Sequence, residues 1–237
     1  MGNKLILIPL PLAENTVDKV IPEQVKEAVL ECDMYLVEEI RTARRYLSSL
    51  RLGLTIEDLR FETLDKKTKK EQILHFFTNP KIKTIGVMSE AGCPGVADPG
   101  ALAVQVAHEK KWQVVPLVGP SSIILALMGS GLNGQSFTFH GYLPIDRPKR
   151  IAQIKVVEAL SSANRQTQIF IETPYRNNHM LEDLIKQCNP TTLLCVASDV
   201  TGENAYIKTM PIHAWKKQTV DFHKQPTVFL LLAQTVR

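Results

Sequence analysis

The chain has 237 residues, of which 44% are hydrophobic and 22% charged. That is enough to bury one large core or two small ones, and it excludes a long disordered protein. Lys and Arg number 28 against 24 for Asp and Glu, a net charge of +4 that permits an anionic partner without demanding one. The four cysteines, Cys32, Cys93, Cys188 and Cys195, show no CxxC spacing, which argues against a disulfide framework and a structural zinc site. The longest apolar run, residues 5–13, holds two prolines and is too short for a bilayer span of about 20 residues. It also lacks the cationic start and cleavage site of a signal peptide, so the cytoplasm is the expected compartment.

The first half alternates strand and helix signals. Residues 4–8 read as a buried strand that Pro9 and Pro11 end. Residues 22–32 read as a helix with Val25, Ala28, Val29 and Cys32 on one face. A strand over 34–37, a helix over 42–52 and a short strand over 61–64 follow. Residues 66–77 form a charged helix that packs through Ile73, Leu74, Phe76 and Phe77. A strand over 84–88, a helix over 101–108 and a strand over 113–118 complete the half. Such alternation implies right-handed crossovers and a mostly parallel sheet.

The second half differs. Helices are expected over 121–128, 148–160 and 174–188, and strands over 137–142, 168–171, 193–198, 205–210 and 227–233. Two strand signals so close together near 193–210 imply an antiparallel pair, hence a mixed sheet. The expected class is α/β with two α/β domains, residues 1–118 and 119–237.

The most unusual segment is SEAGCPGVADPG, residues 89–100, which leaves a strand and enters a helix. It is longer than the roughly 2–6 residues that a plain strand-to-helix turn needs. In an open parallel sheet, ligands bind beyond the carboxyl ends of strands, and glycine lets backbone approach them closely. Glu90 and Asp98 can accept hydrogen bonds there, and Asp98 can equally cap the helix. In VGPSS, residues 118–122, Ser121 or Ser122 can cap a helix or face a polar ligand. In ETPYR, residues 172–176, Thr173 reads as an N-cap and Pro174 as a first-turn residue, which leaves Glu172 and Arg176 unexplained, a surface charge being the commoner role for either. GSGLNG, residues 129–134, matches GxGxxG but follows a helix and precedes a strand, the reverse of a dinucleotide fingerprint; it reads as a helix C-terminal turn. Basic runs at 41–51, 66–70 and 147–150 are the solvated helix faces that such runs usually form, or phosphate contacts if they share a cleft. The six histidines show no metal-ligand spacing, so no metal is expected.

SEAGCPGVADPG, then VGPSS, GLNGQSFTFHGYLP and FIETPYR, resemble in order and spacing the tetrapyrrole methylase superfamily, and most closely its branch that methylates a cytidine ribose 2′-hydroxyl in small-subunit ribosomal RNA. The resemblance implies two α/β domains, S-adenosylmethionine bound in the cleft between them, and a homodimer. It implies cofactor contacts at Leu10 and Pro11, at Gly92, Cys93, Val96 and Ala97, at Ser121 and Ser122, and at Glu172, Asp199 and Thr227. Segment 37–47, VEEIRTARRYL, resembles that branch's Glu-Asp-Thr-Arg stretch, which implies Glu38, Arg41 and Arg44 as substrate contacts. Glu38, Glu39, Glu90 and Glu172 are candidates for the general base by character, and Glu39 is the expected one because it ends a strand in the resembling segment, with a helix-start carboxylate interacting with Arg41 or Arg44 as the structural alternative. The chain departs from the branch after its first strand, where PLAENT replaces a Gly-Asn pair, and at FETLDKKTKKEQ, where a His- and Asn-containing segment is usual. It also lacks the branch's C-terminal extension. Three readings follow: an RNA 2′-O-methyltransferase acting on the small ribosomal subunit, a methyltransferase for a tetrapyrrole or other small acceptor, and a non-catalytic cofactor-binding homologue.

Overall fold

A computed structural model describes residues 2–233. They fall into two compact units that divide between Ser121 and Ser122.

The first unit runs β1 (Lys4–Leu7), α1 (Val17–Val20), α2 (Glu23–Leu30), β2 (Met34–Val37), α3 (Ile40–Ser49), β3 (Phe61–Thr63), α4 (Lys70–Thr78), β4 (Thr84–Met88), α5 (Gly100–Glu109) and β5 (Gln113–Pro116). Its five strands are all parallel, in the order β3-β2-β4-β1-β5. Both faces of β2 are buried because alternate residues serve opposite cores. Met34 and Leu36 join Ile73, Phe76 and Phe77 of α4 and Ala103 and Val106 of α5. Tyr35 and Val37 join Val25 and Val29 of α2 and Ala43 and Leu47 of α3. Each such fully buried side chain contributes roughly 1.5–3 kcal/mol of transfer free energy.

The second unit runs α6 (Ser122–Ser130), β6 (Phe137–Tyr142), α7 (Arg147–Asn164), β7 (Thr167–Glu172), α8 (Asn177–Gln187), β8 (Leu193–Ser198), β9 (Tyr206–Pro211), α9 (Ile212–Trp215) and β10 (Thr227–Leu232). The sheet is mixed, in the order β6-β7-β10-β8-β9, with only β6 and β7 parallel. Helices α7, α8 and α9 pack on one face through Ile154, Leu184 and Trp215. Helix α6 packs on the other through Ala126 and Leu127. As expected for a helix C-terminal turn, α6 stops at Ser130 and Gly131 follows at φ +67.

Several sequence expectations are corrected. Helix α4 starts at Lys70 rather than 66, because the Asp65 carboxylate draws the Lys67 amide (2.8 Å) and the Thr68 hydroxyl (2.9 Å) into a turn. Helix α8 starts at Asn177, so neither Thr173 as N-cap nor Pro174 in the first turn is observed. The Arg176 amide instead donates to the Thr173 carbonyl at 2.9 Å, closing a turn ahead of the helix. Glu172 and Arg176 are not surface charges. The Glu172 carboxylate is buried and accepts from the Thr173 amide and the Arg176 guanidinium, both at 2.6 Å. Nor is the 147–150 run a purely solvated face, because Arg150 is buried and paired with Asp183 at 2.7 Å. Helices α1 and α9 are short elements that the sequence pattern does not announce.

Candidate active site

In the first unit β1 leads to α2 on one face, while its neighbour β4 leads to α5 on the other. The carboxyl ends of β1 and β4 are therefore a topological switch point, where open α/β sheets bind ligands. The chain closes this point with a two-way backbone clamp. The Leu10 amide donates to the Gly92 carbonyl at 2.9 Å, and the Gly92 amide donates to the Leu10 carbonyl at 3.1 Å. Gly92 stands at φ +72, a conformation that L side chains adopt at a cost of about 1–2 kcal/mol. A Cβ there would meet the Leu12 Cδ2 at 3.1 Å and the Pro120 carbonyl at 3.4 Å. Gly119 is needed for a different reason: a Cβ on it would clash with the Pro9 ring. The segments after β1, β4 and β5 thus meet backbone to backbone.

Cys93 ties the last two of these segments together. Its half-buried thiol donates to the Pro120 carbonyl at 3.4 Å, and burial raises its pKa above the usual thiol range. Asp98 holds the loop from within, accepting from the Gly95 amide at 3.0 and 2.9 Å and from the Gly100 amide at the start of α5. Burial raises its pKa despite these bonds. Val96 and Ala97 are exposed at the loop's tip, Ala97 at φ +60. Ser121, half-buried, is the last residue of the unit.

Two cavities flank the clamp. An apolar one of about 540 Å³ is lined by Leu7, Cys93, Pro94, Val96, Ala101 and Pro116, among others. A mixed one of about 680 Å³ lies between the loop after β1 and α3, with Glu90 and Ala91 at its edge. Both fall in the roughly 300–1,000 Å³ range of small-molecule pockets.

The carboxylates at the end of β2 divide their roles. Glu39 is exposed and caps α3, its Oε1 accepting from the Arg41 amide at 3.0 Å. Glu38 is half-buried and accepts from the Glu90 amide. Burial, then the neighbouring Glu90 and Asp98 carboxylates, raise its pKa. Arg41 is exposed, and Arg44 lies over the Phe61 ring, 5.5 Å from its centroid. Neither lines the two cavities; Arg45 and Arg51 line the mixed one.

In the second unit the structure brings three of the sequence-derived residues to one end of the sheet. Thr227 opens β10 in register with Glu172 of β7 and Ser198 of β8, and the Asp199 amide donates to the Pro226 carbonyl at 2.9 Å. Ser122 opens α6. Asn177, which sequence reasoning missed, pins this end: its Nδ2 donates to the Gln225 carbonyl at 2.6 Å and to the Phe222 carbonyl at 3.2 Å. Glu172 Oε2 and Thr201 Oγ1 are buried with no hydrogen-bond partner among the described residues. Buried acceptors are seldom left so, because each costs about 1–3 kcal/mol.

No family model matches the chain. Its sequence is similar to ribosomal RNA small subunit methyltransferase I of Escherichia coli O157:H7, with 26% identity over 96% of this chain and 77% of that protein. It is likewise similar to the proteins of that name in Vibrio cholerae (26%, 88% of this chain, 68% of that one) and Thermotoga maritima (28%, 77% of each). Among solved structures it superposes on the methyltransferase CobJ (TM-score 0.62, 18% identity, 98% of this chain and 95% of that one) and on a diphthine synthase (TM-score 0.68, 16%, 99% and 92%). The chain has the tetrapyrrole methylase fold. In this chain the Leu10–Gly92 clamp and the Cys93–Pro120 contact shape the switch point. Among the described residues no group of His, Cys, Asp and Glu is placed to hold a metal ion, and no helix is long and apolar enough to cross a membrane.

Proposed function

We propose that this protein is an S-adenosylmethionine-dependent methyltransferase that modifies a ribose 2′-hydroxyl in small-subunit ribosomal RNA. The observation that carries the reading is its similarity to ribosomal RNA small subunit methyltransferase I over nearly the whole chain. The residues present fit the cofactor. In the first unit Gly92 carries no side chain beside the clamp, and the adjoining apolar cavity is of suitable size. The residues that would hold it are Leu10, Pro11, Gly92, Cys93, Val96, Ala97 and Ser121 of the first unit, and Ser122, Glu172, Asp199 and Thr227 of the second. When bound, S-adenosylmethionine supplies a methyl group on a sulfonium, already electrophilic.

The chain's own part is to position the acceptor and remove its proton. A ribose hydroxyl is a weak nucleophile, and a carboxylate of raised pKa is the better base near neutral pH. Glu39 remains a candidate from its sequence position, but it already caps α3. We place the base role on Glu38, whose basicity burial increases. Arg41 and Arg44 stand on the same helix as contacts for RNA. A cytoplasmic homodimer is the expected form, with the exposed Met128 and Ile207 of the second unit as the apolar surface to examine by sedimentation.

Titration with S-adenosylhomocysteine tests the cofactor reading. At 100 times the dissociation constant a single site adds about 2.7 kcal/mol of stability, a melting shift of roughly 5–10 °C for a chain of this size. Absence of binding would leave a non-catalytic homologue. Glu38→Gln and Glu39→Gln then separate the two carboxylates: Glu38→Gln should abolish transfer with binding intact, and Glu39→Gln should retain most of it.

A further inference from the structure

The mixed cavity of about 680 Å³ in the first unit shares Leu10 and Pro11 with the proposed cofactor contacts, but cofactor binding does not explain its charged lining. Helix α3 presents Thr42, Arg45, Tyr46 and Ser49 to it, the spacing of a single helix face. The next residue but one after α3, Arg51, lines the same wall. Arg45 and Arg51 are exposed, and neither side chain has a hydrogen bond or ion pair among the described residues. The segment after β1 adds Glu14 and Asp18 to the lining, and the loop after β4 adds Glu90.

Two further features shape the rim. Arg51 and Asn15 hold left-handed backbone at φ +55 and φ +57. Asn tolerates this conformation, whereas Arg51 bears about 1–2 kcal/mol for it, as Lys111 and Arg165 do at the ends of α5 and α7, and glycine at the end of a helix would avoid the cost. The Tyr46 hydroxyl is buried and donates to the Pro9 carbonyl at 2.9 Å, which fixes the cavity floor to the chain leaving β1.

We propose that this cavity seats the acceptor nucleotide of a single-stranded RNA segment. Arg45 and Arg51 hold its backbone phosphates, Glu14 and Asp18 accept from a base amine, and Glu90 accepts from a sugar hydroxyl. The inference rests on the RNA reading above and adds its residues. Two unpaired guanidiniums suit phosphate oxygens. Carboxylates in the same lining suit an exocyclic amine such as that of cytosine. A single strand is required because base edges and the 2′-hydroxyl must both be reached. Arg45 and not Arg44 is the α3 arginine that lines the cavity, since Arg44 is turned onto Phe61.

The test is methyl transfer to purified small ribosomal subunits carrying unmethylated RNA, measured for the full chain and for Arg45→Gln, Arg51→Gln, Arg51→Gly and the exposed control Lys155→Gln. The two glutamine variants should each raise KM by about 10-fold or more, the loss expected for one hydrogen bond to a charged group. Each should also flatten the salt dependence of KM by about 0.7 in log–log slope. Affinity for S-adenosylhomocysteine should not change. Arg51→Gly gives a readout that a structural role would not: it should melt higher, through relief of the left-handed strain, yet methylate RNA less efficiently. Arg45→Gln and Arg51→Gln within twofold of an active wild type would overturn the proposal, as would an equal loss in Lys155→Gln. An inactive wild type that binds S-adenosylhomocysteine would instead overturn the RNA reading, and this one with it.

Discussion

Gly92 offers the sharpest test of the switch-point site. Its φ of +72 and the two contacts awaiting a Cβ, Leu12 Cδ2 at 3.1 Å and the Pro120 carbonyl at 3.4 Å, separate into two costs. The conformational cost of Gly92→Ala is about 1–2 kcal/mol. The Leu12 methyl can rotate away, but the Pro120 carbonyl holds the Cys93 thiol and cannot shift freely. At 3.4 Å that carbonyl is in ordinary van der Waals contact with the added Cβ, so the steric part is small beside the conformational one. Gly53 isolates the first cost, since it has φ +70 and no atom within 4 Å of an added Cβ. Gly53→Ala should lower the melting temperature by roughly 2–8 °C, at about 2–4 °C per kcal/mol for this chain length, without altering S-adenosylhomocysteine affinity. Gly92→Ala should melt at least as low. If about 1.4 kcal/mol of its strain falls on the bound loop geometry, affinity drops tenfold. Calorimetry and thermal melting of the two variants decide the matter. Equal stability losses with unaltered affinity in Gly92→Ala would refute the assignment of this loop to the cofactor.

Other expectations follow from single residues. Because burial raises the Glu38 pKa, its charged form costs stability above that pKa; Glu38→Gln should stabilise the protein at neutral pH, and the gain should vanish as acid protonates the wild type. In the wild type, methyl transfer should fall on the acid side as that carboxylate is protonated, above the usual carboxylate range. Asp183 is buried against Arg150 and Arg147 at 2.7 and 2.9 Å, so Asp183→Ala should destabilise the second unit by about 3–5 kcal/mol, read by denaturant unfolding. The Cys93 thiol should alkylate more slowly than a free thiol at pH 8, speed up as pH rises, and be protected by S-adenosylhomocysteine; unchanged labelling with the ligand bound would move the site away from this loop.

Strands were the most legible part of the fold. Met34–Val37, Thr84–Met88, Phe137–Tyr142 and Leu193–Ser198 stand at their expected bounds, because short apolar runs flanked by polar or turn residues have few alternatives. Helix starts were less so where a side chain bonds locally. The Thr173-Pro174 signal is sound in isolation, yet Glu172 captures the Thr173 amide and the chain turns before it coils. The site showed itself through its glycines and prolines, which mark unusual backbone directly. Its side-chain partners did not. Arg150 and Asp183 are 33 positions apart, and no local pattern joins them. Arg44 and Arg45 are neighbours in sequence, and only the phase of α3, fixed by its start at Ile40, turns one to Phe61 and the other to the cavity. Two adjacent arginines carry no such phase on their own.

The most direct measurement is transfer of a radiolabelled methyl group from S-adenosylmethionine to small ribosomal subunits, followed by nuclease digestion and separation of the nucleosides. Label in one 2′-O-methylated nucleoside, absent with Gly92→Val and with Glu38→Gln, is the expected result. Saturable cofactor binding with no label in RNA, or label on a base or on ribosomal protein instead, would contradict it.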